Sequence, residues 1–277
     1  MTEDWDARFL ERSPMLEPLR IHGGALRTPQ WPSPGDLERL LTQCDVPAVT
    51  GSGARISFVP QSRKAHVFEE KYEPRIFLKG EVQVREDNWH DLLNALVWLT
   101  FPRAKAALNA RHYRALLEQR ATGARNRSPE QDAMTLFDEG GVIVAARDPE
   151  LLQLLQSHEW KALFWRRRAR VTADMRFYLF GHALYEKALN PFTGITARGL
   201  LFEVDADFFR APPAAQIQAL DAVTAGRLAD AQAVRSPREL APVPVLGVPG
   251  WCADNAVASY YDNRDYFRAR KTAARRR

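Results

Sequence analysis

The chain has 277 residues, of which 45% are hydrophobic and 26% are charged, a globular composition that excludes collagen-like and disordered proteins. Its two cysteines, Cys44 and Cys252, are far apart in sequence and argue against a disulfide framework or a zinc site built from cysteines. The net charge of +5 comes from the last ten residues, RARKTAARRR, which hold six basic and no acidic residues and leave −1 for residues 1–267.

Neither a secretory signal nor a membrane span is predicted. The N-terminus MTEDWDARFLERS has mixed charge and lacks the apolar run of a signal peptide. The most apolar stretch, LLNALVWLTF, is about half as long as the roughly 20 residues that a spanning helix needs. We therefore expect a cytoplasmic protein with no membrane partner.

The first elements in chain order are an irregular arm, a helix and two extended segments. Residues 1–35 are rich in Pro, Gly and Trp, so we expect a mostly irregular arm laid on the body. SPGDLERLLTQ predicts a short helix capped near Ser33 to Asp36. RISFVPQ alternates and ends at a proline, which predicts a strand. YEPRIFLKGEVQVR is interpreted as one extended segment or as a hairpin through Lys79 and Gly80.

Two helices are predicted to meet at a proline in the middle of the chain. The first begins near Asp87 or Asn88, which are both good N-cap residues. Pro102 cannot continue this helix without the loss of a hydrogen bond, so we expect a break near Phe101. RAKAALNARHYRALLEQR then forms the second helix, and ATGARNRSPEQDA is predicted to be a polar loop.

The second half of the chain mixes strands and helices. TLFDEGGVIVAA predicts a Gly-Gly turn followed by a strand. RDPELLQLLQSHEWKALFWRRR predicts one helix, with Asp148 at its cap and Pro149 at its first position. MRFYLFGHALYEKAL predicts a strand, a turn at Gly181 and a short helix. The remaining patterns predict a strand (RGLLFEVD), an Ala-rich helix (PPAAQIQALDAVTAGRLADAQ) and an ordered loop (PVPVLGVPGW).

These elements predict a mixed α/β (α+β) fold, because helices and strands alternate without a strict βαβ rhythm. We expect a single compact domain over residues 36–267, with helices packed on a small mixed sheet. The irregular arm of residues 1–35 precedes it, and a disordered basic tail of residues 268–277 follows it.

Several long and unusual stretches resemble one protein family. They are RISFVPQ, YEPRIFLKGEVQVREDNWHDLLNALVWLTFPRAKAALNARH, TLFDEGG, FGHALYEKAL and PVPVLGVPGWCADN. Together they resemble the bacterial family catalogued as domain of unknown function 3025, from about the first predicted strand almost to the C-terminus. The resemblance implies no activity, substrate or cofactor, so each role below rests on the chemistry of the residues themselves.

Asn94 is the first candidate site residue, because it stands inside the apolar run LLNALVWL. A buried amide without partners costs about 1–3 kcal/mol, so we expect other polar groups to meet it. His90 at i−4 and Asp91 at i−3 lie on its side of the helix, in the first turn, where free N–H groups favour anions. The three residues either line a pocket or tie the helix to a loop.

His182 and Glu186 form the second candidate pair. They lie four residues apart in FGHALYEKAL, so one face of a short helix presents both side chains. This spacing can bind a metal or let a carboxylate orient an imidazole, and it also occurs in pairs that only support a helix. Because Gly181 separates the helix from an apolar strand, the pair is expected near the end of a sheet.

A divalent metal is an open cofactor hypothesis. Asp138 and Glu139 precede a pair of glycines, where adjacent carboxylates can ligate a cation or serve only as turn acids. The candidate metal ligands are therefore His182, Glu186, Asp138 and Glu139.

Four residues are candidates for binding a small or phosphate-containing ligand. Lys105 and Asn109 share one helix face with His112, which is either an anion-binding face or a solvated surface. Trp251 and Asn255 follow the stiff segment GVPG, in a loop that could close over a pocket.

We expect an enzyme, most plausibly a hydrolase, whose catalytic set is His90, Asp91, Asn94, His182 and Glu186. The two histidine motifs should then lie within about 10 Å of each other around one cavity, with the GVPGW loop near its rim. The alternative is a non-catalytic protein that binds nucleic acid or another anionic partner through FWRRRAR and, weakly, through tail residues Arg275, Arg276 and Arg277. In a third interpretation the polar clusters are internal ties of an interaction protein.

Overall fold

The computed structural model describes residues 4–61 and 67–270. In chain order its regular elements are helix α1 (Pro34–Gln43), strand β1 (Ser57–Pro60), α2 (Tyr72–Lys79), β2 (Glu81–Val84), α3 (Trp89–Thr100), α4 (Pro102–Thr122), α5 (Pro129–Gly140), β3 (Gly141–Ala146), α6 (Pro149–Gln156), α7 (Arg168–Asp174), β4 (Met175–Leu179), α8 (His182–Leu189), β5 (Thr196–Glu203), α9 (Ala206–Arg210), α10 (Pro213–Ala229) and β6 (Ala241–Pro244). No helix among the described residues is long and apolar enough to cross a membrane.

Two small sheets form the β part of the fold. The larger one has the strand order β4-β3-β5-β6, in which β3 and β5 are parallel and the outer pairs are antiparallel. All six residues of β3 are buried, as expected for a central strand covered on both faces. Strands β1 and β2 form a separate parallel pair. The predicted α+β class, with helices on a small mixed sheet, is confirmed.

The N-terminal segment contributes to the same core as the helices. Within the predicted irregular arm, two short 3-10 helices cover Phe9–Glu11 and Pro14–His22. Their apolar side chains are buried together with nearly the whole of α3. The ring of Trp89 on α3 lies 5.3 Å from that of Trp5 and 4.8 Å from that of Trp31, so aromatic packing fastens this segment.

The extended segment predicted for YEPRIFLKGEVQVR is wrong in its first half. Residues Tyr72–Lys79 form helix α2, and only Glu81–Val84 form a strand. Pro74 falls in the first helical turn, where proline is tolerated. Gly80 ends the helix with a φ of 74°, and a Cβ atom there would overlap the carbonyl oxygen of Arg55.

The predicted Gly-Gly turn after Asp138 and Glu139 is also wrong. Helix α5 begins earlier, with a capping box between Ser128 and Gln131, and extends through Gly140. Both carboxylates therefore lie in its last turn. The polar loop predicted before it is correspondingly shorter.

The single helix predicted after Asp148 is interrupted. Helix α6 ends at Gln156, His158 has a left-handed φ of 59°, and a π-helix covers Ala162–Arg166 before α7 begins. In the loop predicted for PVPVLGVPGW, Ala241–Pro244 form β6 instead. Its prolines are tolerated because β6 is the edge strand of the sheet.

Candidate functional site

Helices α3 and α8 bring the two histidine motifs together. Helix α3 begins after Asn88, whose side chain accepts a hydrogen bond from the backbone N–H of Asp91 at 3.0 Å. Helix α8 begins after Gly181, which packs against the backbone at the end of α5. Because α8 packs on both α3 and α5, the first turn of α8 faces side chains of both helices.

His90 and His182 are in direct contact. Their Nε2 atoms lie 3.1 Å apart, and the two rings are nearly perpendicular at 84°. Glu186 lies on the outer side of the pair, with its Oε2 3.0 Å from Nδ1 of His90. The prediction that the motifs meet within about 10 Å is confirmed, although Glu186 pairs with the histidine of the other motif.

The hydrogen atoms of this pair are constrained by two carboxylates. Nδ1 of His90 faces Glu186, and Nδ1 of His182 lies 3.8 Å from Oδ2 of Asp138 without a hydrogen-bond partner. If both outer nitrogens carry hydrogen, two Nε2 lone pairs face each other and require a shared proton or another cation between them. If His182 instead donates through Nε2, its bare Nδ1 faces a carboxylate.

Burial shifts the pKa of the groups at the base of the site. It lowers the pKa of His182 to about 4, an effect that Asp138 opposes and that Lys105 and His90 reinforce. Burial by itself raises the pKa of Asp138, but the charges of Lys105 and His182 outweigh it and hold that pKa below its usual value. Near neutral pH a neutral imidazole thus lies beside an ionised carboxylate.

At the bottom of the site, Asn94 on α3 links helices α2 and α4 and, through Lys105, helix α5. Its Oδ1 accepts a hydrogen bond from Nζ of Lys105 at 3.0 Å, and its Nδ2 donates to the hydroxyl oxygen of Tyr72 at 2.7 Å. Lys105 in turn donates to Asp138 at 2.5 Å. Both ends of the Asn94 amide are therefore satisfied, and the Tyr72 hydroxyl hydrogen remains available to a ligand.

The predicted partners of Asn94 were wrong. His90 bonds to His182 and Glu186, and Asp91 forms a bidentate pair with Arg85 at 2.7 and 2.8 Å. Burial raises the pKa of Asp91, but hydrogen bonds from Arg85 outweigh it and keep that pKa low. Asp91 is therefore an ionised support for Arg85 at the wall of the site.

A cavity of about 550 Å³ opens above these groups. This is the scale of small-ligand pockets. Its lining combines the two histidines, Asn94, Tyr72 and Asp138 with further residues, of which the most relevant are Lys71, His112, Arg127 and Glu139. His112 is nearly buried, and its charge when protonated also lowers the pKa of Asp138.

The predicted ligand-binding residues do not act together at this cavity. Lys105 and Asn109 are 3% and 1% exposed, so the solvated-face interpretation of this helix is wrong. Asn109 donates to the backbone and carboxylate oxygens of Glu73, because this face of α4 packs on α2. Lys105 lies beneath the cavity, where its hydrogen bonds hold Asn94 and Asp138 in place.

The loop that holds Trp251 and Asn255 lies elsewhere, contrary to the expected position at the rim. The ring of Trp251 contacts Phe177 on the sheet at 6.0 Å. Asn255 is fully buried and donates to the backbone carbonyls of Leu246 and Val248. Its role is to hold the loop in place, and neither residue lines the cavity.

The candidate metal ligands do not converge. Within residues 4–61 and 67–270, no three His, Cys, Asp or Glu side chains are grouped so that they could hold a metal ion. Glu186 is engaged by His90, Asp138 is engaged by Lys105, and Glu139 lies exposed at the cavity wall.

Sequence reasoning missed Tyr72, Lys71 and Arg127. Tyr72 begins the segment that is interpreted as extended, Lys71 directly precedes that segment, and Arg127 lies in the predicted polar loop. The one signal that could have found Tyr72 is the buried amide of Asn94, which requires a partner from outside its own helix.

The family model described as protein of unknown function (DUF3025) matches residues 56–271. The chain belongs to this family. All the residues of the cavity described above fall within the matched part of this DUF3025 protein. No curated protein and no solved structure matches the chain.

Proposed function

We propose that the cavity is the active site of a bacterial cytoplasmic hydrolase that cleaves a small anionic molecule by acid–base catalysis. The contact that carries the proposal is the 3.1 Å approach of His90 Nε2 to His182 Nε2, with a carboxylate beside each outer nitrogen. A positioned acid–base group typically accelerates a reaction by a factor of about 10² to 10⁴.

His90 is the member of the pair that meets the substrate. Its side chain is 39% exposed, whereas His182 is nearly buried behind it. With the Nδ1 hydrogen of His90 donated to Glu186, Nε2 of His90 takes a proton from the attacking water and later returns it to the leaving group. The positive charge that develops on the ring in between is stabilised by the carboxylate of Glu186. His182 positions the ring from the inner side and shares the hydrogen.

One donor at the cavity wall is suited to stabilise negative charge in the transition state. The Tyr72 oxygen accepts from Asn94, which leaves its hydrogen free, and burial keeps the pKa of this phenol well above its usual value. Lys105 does not line the cavity, and it supports this donor through its hydrogen bond to Asn94. Such donors, held in place before the reaction, account for much of enzymatic rate enhancement.

The cavity has two exposed basic side chains that are suited to bind an anionic group of the substrate. Lys71 and Arg127 line it, and neither has a carboxylate partner among the described residues. Arginine matches the geometry of phosphate and carboxylate groups, and lysine supplies a point charge. A phosphate-containing or carboxylate-containing molecule is therefore the proposed substrate class.

The test is a hydrolysis screen with purified full-length protein against phosphate monoesters, phosphodiesters, carboxylic esters and amides. We expect turnover of at least one anionic class, a loss of about 10²-fold or more in kcat for His90→Gln, and a smaller loss for Glu186→Gln. Lys187→Gln is the matched control, because Lys187 is the exposed neighbour of Glu186 and does not line the cavity.

Two results would overturn this proposal. One is turnover that His90→Gln leaves unchanged in a folded variant. The other is the absence of turnover on every class when calorimetry shows that an anion binds the cavity, which would make the protein a binding protein. Elemental analysis of the same sample tests whether a metal ion lies between the imidazoles.

A further inference from the structure

Five arginines line two adjoining cavities that lie away from the histidine site. The cavities measure about 380 and 510 Å³ and share His158 and Pro242 in their walls. Pro242 belongs to β6, so both cavities border the edge strand of the larger sheet. The arginines are Arg198, Arg227, Arg238, Arg268 and Arg270, and we call this surface the arginine groove.

Within the described part of the chain, the arginines of the groove form no ion pairs. None of its five arginines has a carboxylate oxygen within 4.0 Å among the residues that the structure describes. Glu239 and Asp265 are the two acidic residues in the walls, against five positive charges. Unpaired arginines gathered in a concave surface are available to an anionic ligand.

Three of the four arginines in the run FWRRRAR, considered above for the same role, are engaged by other residues of the protein, and the fourth, Arg166, is exposed. Arg167 and Arg170 both form ion pairs with Glu150, and Arg170 also pairs with Asp148. Arg168 donates to the backbone and side-chain oxygens of Asn255. Arg167, Arg168 and Arg170 therefore hold α7 to its neighbours.

An aromatic platform lies where the two cavities meet. The left-handed backbone of His158 places its ring on Trp160 in a stacked geometry, with centroids 5.1 Å apart and planes at 23°. Trp160 is 5% exposed and donates through Nε1 to the carbonyl oxygen of Arg268 at 2.8 Å, so the support is rigid. His158 is partly exposed and lines both cavities.

The His158 ring is suited to stacking rather than to carrying charge. Burial and the neighbouring Arg270 lower its pKa, although the backbone of Arg268 opposes them. The ring is therefore neutral near pH 7. A neutral ring on a buried indole, surrounded by guanidinium groups, combines the two features by which proteins hold single-stranded nucleic acids.

We propose that the arginine groove binds single-stranded nucleic acid, with phosphates on its arginines and one base stacked on His158. Guanidinium groups bind phosphate oxygens in bidentate fashion, and stacking accepts any base. The sequence continues beyond Arg270 as KTAARRR, whose four further basic residues, among them the predicted tail residues Arg275, Arg276 and Arg277, lie outside the described residues. This binding is independent of the proposed hydrolysis, since no residue of the arginine groove lines the histidine cavity.

The test is fluorescence anisotropy with labelled oligo(dT), oligo(U) and a duplex of equal length, at several salt concentrations and with the full chain. We expect tighter binding of the single strands than of the duplex, because a stacked base must be unpaired. Arg198→Gln with Arg238→Gln should weaken binding about tenfold or more and reduce the slope of log K against log salt by about 1.4.

The matched control for charge is Arg114→Gln with Arg125→Gln. Both of these arginines are exposed and lie outside the arginine groove. Their replacement lowers the net charge by the same amount as the replacement of Arg198 and Arg238. His158→Asn is the test of stacking, because asparagine tolerates a left-handed backbone but has no ring. We expect about tenfold weaker binding for His158→Asn, with the salt slope unchanged.

Three results would overturn this proposal. Equal loss in the charge control would mean that only net charge matters. Polyglutamate or heparin bound as tightly as oligo(dT) would identify a surface for general polyanions. Binding to vesicles of phosphatidylserine and phosphatidylcholine without binding to oligo(dT) would identify a membrane surface.

Discussion

Gly181 packs directly on the backbone of Glu139, so closely that a Cβ atom on Gly181 would lie 2.5 Å from the Glu139 carbonyl carbon. This contact joins the start of α8 to the end of α5. His182 follows Gly181 in the chain, and Asp138 precedes Glu139. The contact therefore brings His182 beside Asp138. Only glycine allows the approach.

Gly181→Ala is expected to destabilise the protein by about 1–3 kcal/mol, the usual cost of overpacking against atoms that cannot move away. It should also separate His182 from Asp138 and His90. Urea unfolding measures the first effect. Gly140→Ala is the control, because a Cβ atom there meets nothing within 4 Å and Gly140 lies in a helix. Equal stability of the two variants would contradict the packing argument.

Asn94→Leu should reduce stability by more than about 1 kcal/mol, because the substitution leaves both Tyr72 and Lys105 without their amide partner inside the protein. Thermal unfolding at neutral pH tests this expectation. Asn126→Leu makes the same chemical change on an exposed loop and should have little effect. An unchanged or higher Tm for Asn94→Leu would show that the amide holds no buried network.

The parts of the fold that were predicted correctly are those determined by neighbouring residues. The caps at Ser33, Asn88 and Asp148 were all found, because a cap is decided within one helical turn. Helix α2 was missed because its alternating apolar residues resemble a strand, and its burial is decided by contacts with α4.

The candidate site shows the same division between local and distant determinants. The meeting of the two histidine motifs followed from the need of buried polar groups for partners. The identity of those partners did not follow, since Asn94 is satisfied by Tyr72 and Lys105, which lie 22 and 11 residues away. The position of Trp251 depends on its contact with Phe177, more than 70 residues away, which no local pattern encodes.

Acid sensitivity should come in part from His22. Burial lowers its pKa from 6.5 to about 4, and its Nε2 lies 3.1 Å from the Thr100 hydroxyl. The unfolded chain therefore binds a proton between pH 6.5 and 4 that the folded protein does not, and stability falls as the pH is lowered through this window. The lost stability is about 2 kcal/mol between pH 7 and 5.

His22→Gln should remove this part of the pH dependence. Between pH 7 and pH 5, the free energy of unfolding in urea should fall by about 2 kcal/mol less in the variant than in the parent protein. His182, whose pKa is also about 4, still contributes in the variant, so some acid sensitivity should remain. An unchanged pH dependence would show that His22 is protonated equally in the folded and unfolded states.

Asp221 on α10 caps the long helix α4 from a distance. The backbone N–H groups of Arg103 and Ala104 donate to its carboxylate at 3.1 and 2.8 Å, and the N-cap residue Phe101 provides no side-chain bond. Burial nevertheless raises the pKa of Asp221 from 3.8 to about 6, because these hydrogen bonds offset only part of the desolvation. The folded protein therefore holds this proton more tightly than the unfolded chain.

From this shift we expect the contribution of Asp221 to stability to fall as the pH rises from about 4 to 6, the opposite sign to that of His22. Asp221→Asn keeps an acceptor for the helix N-terminus without the charge, so it should gain stability relative to the parent protein between pH 4 and 7. Asp221→Ala leaves both N–H groups unmet and should lose about 1–2 kcal/mol at every pH. Urea unfolding across this pH range distinguishes the two substitutions. If the Asn variant is as unstable as the Ala variant at pH 7, the negative charge itself stabilises α4.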